Sequence, residues 1–160
     1  MNMNIKPIGV IRTPFTSSEG ITIQAHMSDE LGEVVLHSEY ASGLHSLNQF
    51  SHIILLYWFH QSKDPQMLVR PYLGNEVRGL FSTRAPARPN PIGISVVEVV
   101  KMENHRIVFR GADMLDNTPL LDIKPFVPEF DHRPHATSGW LSQFLDDENT
   151  VKTADNRFEH

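Results

Sequence analysis

The sequence predicts a mainly β protein, a small closed or nearly closed β-barrel of short antiparallel strands with a few short helices. Two observations lead to this fold class. Short runs of β-branched and aromatic residues recur along the chain and are separated by Gly, Pro, Asn and Ser, which is typical of small barrels. Long helical segments do not alternate with these runs, which argues against a doubly wound parallel sheet.

The predicted strands follow one another with short connections. The first covers residues 5–13, with Pro7 near its start and Pro14 at its end, and a polar loop at 16–20 leads to 21–24. The other apolar runs predict strands at 33–37, 51–60, 77–82, 94–102 and 106–110, with a brief pairing at 69–73. Residues 113–131 are expected to be extended and interrupted by proline.

Helical spacing is weak. Residues 40–47 predict one or two helical turns, and residues 136–145 predict a helix near the end of the chain. The last residues are expected to be frayed. We therefore expect a barrel domain at 1–135, followed by a short C-terminal helix and an acidic tail at 136–160.

The strongest strand signal lies at residues 51–60, where seven consecutive apolar residues run from Ile53 to Phe59. A continuous run without alternation predicts a strand that is covered on both faces. The run ends in His60 and Gln61, so polar groups emerge from a buried strand at this point.

Composition limits the classes of function. The 160 residues carry a net charge of −5 and no cysteine, which excludes disulfides, thiolate catalysis and cysteine-ligated zinc and argues against a simple nucleic-acid coating protein. The nine glycines form no Gly-x-Gly, so no Rossmann or P-loop nucleotide site is predicted. The histidine spacings match no ligand set, and no metal is expected. Without an apolar signal segment or membrane-length run, we expect a cytoplasmic protein.

The chain is organised around residues 79–93, where Pro86, Pro89 and Pro91 alternate with Arg84, Arg88 and Asn90. Three prolines exclude a helix and disfavour a central strand. A stiff loop would hold the guanidinium groups in fixed directions for a carboxylate or phosphate. The alternative is a proline-rich corner with solvated arginines.

A second dense segment covers residues 113–126 and contains the carboxylates Asp113, Asp116 and Asp122 near one turn. These groups could accept hydrogen bonds from ribose hydroxyls or an ammonium group. The alternative is that they cap the turn itself.

Both segments resemble the two motifs of the TsaA-like, or TrmO, protein family, and shorter matches lie at 8–14, 43–44 and 50–53. The resemblance covers roughly residues 5–131. The sequence departs from the usual pattern of the family at Asn117, where Gly is usual, and at Phe126, where Tyr is usual.

The resemblance implies a small β-barrel that binds S-adenosylmethionine at a homodimer interface. It also implies methyl transfer to N6 of a threonylcarbamoyl-modified adenosine beside the anticodon of tRNA. The cofactor contacts it implies fall on Gln24, His60, Gln61, Arg84, Ile94, Asp113, Met114, Leu115 and Asp116. Candidate contacts to RNA or phosphate are Arg88, Asn90 and Lys124.

Chemistry refines these roles. Because the sulfonium is positive, Arg84 is expected to meet the methionine carboxylate or an RNA phosphate, whereas Asp113 or Asp116 could take the ammonium or ribose. A neutral imidazole accepts protons near pH 7, so His60 is the candidate base. Two other functions stay open: methyl transfer to a small molecule or another RNA, and non-catalytic binding of S-adenosylmethionine.

Overall fold

The computed structural model describes residues 1–146, 153–155, 157 and 158. Six strands form a closed barrel in which every neighbouring pair is antiparallel, in the order β1-β2-β7-β6-β3-β8 and back to β1. The barrel strands are β1 (Gly9–Arg12), β2 (Leu31–Leu36), β3 (His52–Trp58), β6 (Ile92–Glu103), β7 (Arg106–Arg110) and β8 (Thr118–Pro125). The predicted fold class is therefore confirmed.

The remaining elements are small. Outside the barrel, β4 (Leu68–Val69) and β5 (Arg78–Gly79) form a separate two-stranded sheet. The 3-10 turns are Ala25–Met27, Ser38–Leu44, Leu47–Gln49, Leu80–Ser82 and Gly139–Leu141. The two α-helical turns are α1 (Pro128–Asp131) and α2 (Ser142–Leu145). No helix in the described part of the chain is long and apolar enough to span a bilayer.

Alternate residues of the barrel strands fill its interior. Fully buried side chains include Ile11, Val34, Ile53, Leu55, Ile107, Phe109 and Leu120. Phe109 needs the space beside Gly32, because a Cβ built on Gly32 would lie 2.4 Å from the Phe109 Cζ. The interior is thus occupied by side chains, as is usual for so small a barrel.

The prediction that β3 is covered on both faces is wrong. Its inward residues are buried, but the outward residues Ile54 and Leu56 are only half-buried and the outward residues at its ends are exposed, Trp58 by 47%. Outward residues of β3 and β6 lie opposite each other in three apolar pairs: Ile54 with Val96, Leu56 with Ile94, and Trp58 with Ile92. We call these six residues the outer apolar strip. A continuous apolar run does not distinguish a strand buried on two faces from one whose second face is exposed.

Pro119 lies inside β8, yet it interrupts no ladder with β3. The pairing of β8 with β3 ends at Leu120 opposite Tyr57, after a register shift between Leu56 and Tyr57. Pro119 lies just beyond that last pair, so its missing N–H removes no hydrogen bond there. The segment predicted as extended and proline-interrupted is therefore a barrel strand followed by α1, which was not predicted.

The C-terminal region differs from the prediction. The helix expected at 136–145 is shorter, a 3-10 turn followed by α2, and the strand expected at 77–82 is β5 followed by a 3-10 turn. The expectation of frayed last residues is wrong for Thr153, which bridges to Thr22, and for Phe158, which is buried. For residues 147–152, 156, 159 and 160 the expected acidic tail lies outside the described residues.

Candidate active site

A cavity of about 830 Å³ lies where β3 ends and β6 begins. Its walls include the segment at 21–27, the end of β3, the loop at 83–91 that we call the proline loop, the start of β6 and the turn after β7. These segments are distant in sequence, and the barrel closure brings them to one place.

The cavity brings together most of the residues assigned from the sequence. Of the nine implied cofactor contacts, eight line it: Gln24, His60, Gln61, Arg84, Ile94, Asp113, Met114 and Leu115. Arg88 also lines it, whereas Asp116, Asn90 and Lys124 do not. Residues of both motifs therefore line the same cavity.

The floor of the cavity depends on a glycine. Gly93 of β6 lies directly opposite Tyr57 of β3. A Cβ built on Gly93 would come within 2.3 Å of the Tyr57 ring and 2.9 Å of the Phe59 ring. Only glycine lets the Tyr57 ring lie against the backbone of β6 here.

A chain of hydrogen bonds joins Tyr57, Ser95 and Asp113. The Ser95 hydroxyl donates to Oδ1 of Asp113 over 2.6 Å, and the Tyr57 hydroxyl lies 2.9 Å from Ser95 Oγ. Because the single hydroxyl proton of Ser95 is used on the carboxylate, Tyr57 must donate to Ser95. With an ionised Asp113, the direction of the chain is fixed from Tyr57 to the carboxylate.

The two ends of this chain differ in their acidity. Burial raises the pKa of Asp113 to about 7, although the hydrogen bonds from Ser95 and from backbone N–H groups, and the Arg84 charge, oppose the rise. Burial, and after it the negative charge of Asp113, raise the pKa of Tyr57 well above its ordinary value. Tyr57 therefore stays neutral, while Asp113 exchanges a proton near neutral pH.

Arg84 presents a positive charge at the cavity. Its Nη1 donates to Oε1 of Gln24 over 2.7 Å, and the residue is exposed. It forms no ion pair with any carboxylate in the described part of the chain. Its charge is thus available to an anionic group of a ligand.

Side chains, in place of a strand ladder, hold the proline loop. Arg88 Nη1 donates to the carbonyls of Thr83 and Ala85 over 3.1 and 3.2 Å. Thr83 Oγ1 donates to the Leu80 carbonyl over 2.7 Å and accepts from the Ala85 N–H. Of the segment 79–93 that was predicted as a loop, residues 83–91 form neither helix nor strand, whereas Leu80–Ser82 form a 3-10 turn and the two ends belong to β5 and β6. Arg88 is therefore not simply solvated, because its guanidinium fixes the loop.

The other two carboxylates of the second motif fit the alternative of capping. Asp116 forms an ion pair with Arg12 at 3.0 Å and accepts from the Thr13 N–H. Asp122 accepts from the N–H of the following residue and forms an ion pair with Lys124 at 2.7 Å. Asp116 and Lys124 are thereby engaged away from the cavity.

Sequence reasoning missed several residues of the site. Tyr57 lay hidden in an apolar run, and Ser95 is an inconspicuous small residue whose role depends on strand register. Trp140 and Phe158 line the cavity from the C-terminal region, where only a helix and a frayed end were expected. His60 is placed at the cavity with its Nε2 3.4 Å from Nε2 of Gln61. Within the described residues, no group of acidic residues and histidines could hold a metal ion.

Comparison with known proteins identifies the family. The family described as tRNA-methyltransferase O N-terminal domain matches residues 10–132. A protein of Archaeoglobus fulgidus named S-adenosyl-L-methionine-binding protein is 43% identical over 129 residues, which cover 81% of this chain and 93% of that protein. The tRNA (adenine(37)-N6)-methyltransferase of Escherichia coli strain K12 is 34% identical over 150 residues, covering 87% of this chain and 64% of that enzyme.

A solved structure agrees with these matches. The crystal structure of TrmO from Pseudomonas aeruginosa superimposes with a TM-score of 0.75 at 36% identity, covering 88% of this chain and 63% of that one. The chain thus spans less than two thirds of the length of both the Escherichia coli enzyme and the Pseudomonas aeruginosa protein. The family match over most of the chain, the motifs and the barrel agree. The chain belongs to the TrmO family of S-adenosylmethionine-dependent methyltransferases, and the match is to the N-terminal domain of that family.

Proposed function

We propose that this chain binds S-adenosylmethionine in the 830 Å³ cavity and methylates N6 of an adenosine in tRNA. The acceptor we propose is a threonylcarbamoyl-modified adenosine beside the anticodon, which would place the reaction in the cytoplasm. The observation that carries the proposal is the convergence of eight implied cofactor contacts on one cavity. The relative of Escherichia coli, named as a tRNA (adenine(37)-N6)-methyltransferase, supports the acceptor.

The cavity fits the chemistry of the cofactor. Its volume lies in the range of about 300–1,000 Å³ that small-molecule sites occupy. Aromatic and aliphatic side chains form most of the wall, and charges of both signs lie among them: Arg84 and Arg88 on the proline loop and Asp113 after β7. Bound S-adenosylmethionine would supply a methyl group on a positively charged sulfonium.

We assign Arg84 and Asp113 to different groups of the cofactor. Arg84, with Gln24 orienting its guanidinium, would hold the carboxylate. Asp113 would accept hydrogen bonds from the ammonium group or from ribose hydroxyls. Because the Ser95 hydroxyl and backbone N–H groups already hold the Asp113 carboxylate, binding would require little reorganisation of this residue.

Methyl transfer to N6 requires that the adenosine is held in position and that a group accepts the N6 proton. The carbamoyl substituent makes the N6–H more acidic than that of plain adenosine, so holding N6 in line with the methyl group matters more than a strong base. His60 is our candidate to accept the N6 proton, because it lines the cavity at the end of β3. Asn90 and Lys124 lie outside the cavity, so their contacts would be to more distant parts of the RNA.

We further propose that two copies of the chain associate through the outer apolar strip. Ile92 and Ile94 belong both to this strip and to the cavity wall, so a partner seated on the strip would lie beside the cofactor. Apolar patches of this kind mark association surfaces.

We also propose 1–135 as the barrel domain, followed by a short C-terminal helix and an acidic tail at 136–160.

Dimer formation has a direct test. Light scattering coupled to gel filtration should give a dimer for the native protein and a monomer for Val96→Asp, which alters the strip outside the cavity. Leu31→Asp is the matched control, since Leu31 is also exposed but belongs to β2. A native protein that remains monomeric at tens of micromolar would contradict the dimer.

Calorimetric titration with S-adenosylmethionine and S-adenosylhomocysteine is the first test of the proposed function. Binding near one site per chain should be followed by transfer of a labelled methyl group to tRNA that carries threonylcarbamoyl-adenosine. No binding of either compound would refute the cofactor assignment. Binding without transfer to any tRNA would favour the non-catalytic alternative. Binding to tRNA that does not weaken steeply with added salt would favour a small-molecule acceptor, because phosphate contacts make RNA binding strongly salt-dependent.

A further inference from the structure

A wall of the cavity comes from residues that follow the family match. The match ends at residue 132, yet the cavity is also lined by Trp140, Leu141, Leu145, Ala154 and Phe158. We call these five residues the C-terminal wall. Its position indicates a part in the site that the two motifs do not supply.

The first attachment of the wall is next to the proline loop. Trp140 Nε1 donates to the carbonyl of Ser82 over 2.9 Å. The guanidinium of Arg78 lies over the Trp140 ring, 4.6 Å from its centroid, which adds a cation–π contact. The wall is thus tied to the backbone two residues before Arg84.

The second attachment reaches the segment that leads to Gln24. Thr153 pairs with Thr22 in an antiparallel bridge. The Ala154 N–H donates to the Ile21 carbonyl over 2.6 Å, and the Gly20 N–H donates to the Ala154 carbonyl over 3.0 Å. The C-terminal wall therefore contacts both segments whose side chains, Arg84 and Gln24, are hydrogen-bonded to each other.

Phe158 is the anchor of this arrangement. It is only 5% exposed and packs in a cluster of buried side chains that contains Ala85 and Ala87. Its ring also meets the edge of Tyr72 at a centroid distance of 5.2 Å. Beside it, Arg157 binds the Asp155 carboxylate and donates to the Pro71 carbonyl over 2.6 Å, which ties the residue next to Phe158 to the backbone at residue 71.

The proline loop depends on this anchor for physical reasons. Its prolines lack backbone donors, so side-chain packing must supply much of the order that a ladder gives elsewhere. Ala85 follows Arg84 directly, and its burial in the Phe158 cluster fixes the backbone from which the Arg84 side chain extends. Fixing that backbone lowers the entropy that the guanidinium loses when it binds an anion.

We propose that Phe158 is a positioning residue for Arg84: through Ala85 and Ala87 it holds the proline loop so that the guanidinium faces the cavity. The proposal rests on the proposed function for the identity of the anion, the cofactor carboxylate. The hold on the loop itself is a property of the chain alone.

Two measurements on the full chain separate these parts. The first is the rate at which trypsin cuts the Arg84–Ala85 bond, followed by mass spectrometry in the absence of ligand. Phe158→Ala should raise this rate about tenfold or more, because loss of a buried aromatic ring frees the loop to open. Phe158→Leu should restore most of the protection. Phe130→Ala, at a residue that is 70% exposed on α1, is the matched control and should leave the rate unchanged.

The second measurement is a double-mutant cycle of S-adenosylmethionine binding with Phe158→Ala and Arg84→Ala. We expect Phe158→Ala to weaken binding about tenfold in the native background and hardly at all when Arg84 is already alanine. Additive effects would overturn the proposal, since a merely structural wall would act whether or not Arg84 is present. An unchanged trypsin rate in Phe158→Ala would overturn it as well. If the native protein bound no S-adenosylmethionine while trypsin cut Phe158→Ala faster, the proposed function would fail and the hold on the loop would stand.

Discussion

Replacement of Asp113 by asparagine should change how the stability of the protein depends on pH. The pKa of Asp113 is raised by burial from its ordinary 3.8 to about 7. Between these values the folded protein keeps a proton that the unfolded chain releases. The native protein therefore loses stability as the pH rises through this window, and the loss levels off above about pH 7.

The size of the effect follows from the same values. A rise from 3.8 to about 7 corresponds to a stability difference on the order of 4 kcal/mol, at about 1.4 kcal/mol for each pH unit. Asparagine keeps the shape and one acceptor oxygen but does not titrate. The difference in unfolding free energy between native protein and Asp113→Asn should therefore change by this amount between about pH 4 and pH 8, in favour of the variant at the higher pH.

Urea unfolding followed by far-ultraviolet circular dichroism at several pH values gives both curves. Subtracting one from the other removes the titration of groups that the two proteins share. Asn90→Ala is the control, because this exposed residue lies outside the cavity and does not titrate, so its curve should run parallel to the native one. Parallel curves for Asp113→Asn would refute the reasoning and show that the carboxyl is well solvated.

Three further substitutions test the site and the barrel. Arg84→Ala should weaken S-adenosylmethionine binding about 10- to 100-fold, because charged hydrogen bonds are strong, and should change the unfolding free energy by less than about 1 kcal/mol, because the residue is exposed. Arg106→Ala is the control in the calorimetric titration. If Arg84→Ala unfolds the protein while the folded fraction still binds, the proline loop has only a structural role. Gly32→Ala should lower the free energy of unfolding, measured by thermal unfolding, by about 2 kcal/mol or more, because its Cβ would overlap the Phe109 ring. Adding Phe109→Leu should relieve part of that cost. Fully additive effects of the two substitutions would argue against the overlap. In the same urea unfolding series, Ser95→Ala should move the pH transition of the buried Asp113 carboxyl upward. The hydrogen bond from Ser95 lowers the pKa of Asp113, and the variant lacks this bond. A downward shift of the transition would contradict the network.

Much of the fold could be predicted from local patterns. The run at 106–110 coincides with β7, and 33–37 overlaps β2, because β-branched residues alternate there between an inward and an outward face. The proline loop was predictable because proline acts on its own backbone and on the preceding residue, without help from distant contacts.

What could not be predicted depends on contacts between distant residues. Tyr57 meets Ser95 only because β3 and β6 pair in the register that sets Tyr57 opposite Gly93. Phe158 is one aromatic residue in a polar end segment, and nothing local indicates that Ala85 and Ala87 leave room for its ring. The site residues in the motifs were assigned by resemblance to a family, and the periodicity of the sequence alone does not identify them.

The hydrogen-bond chain at the floor of the cavity limits which groups can meet it. With Asp113 ionised, the only proton of the Tyr57 hydroxyl is committed to Ser95, so the phenol oxygen offers lone pairs alone. A ligand amine or hydroxyl can donate to it, whereas a bare carbonyl or ether oxygen meets an electron-rich partner and is repelled. Protonation of the carboxyl lets the chain reverse, since Ser95 can then accept from Asp113 and donate to Tyr57. The phenol is then free to donate, and the floor discriminates among functional groups according to pH.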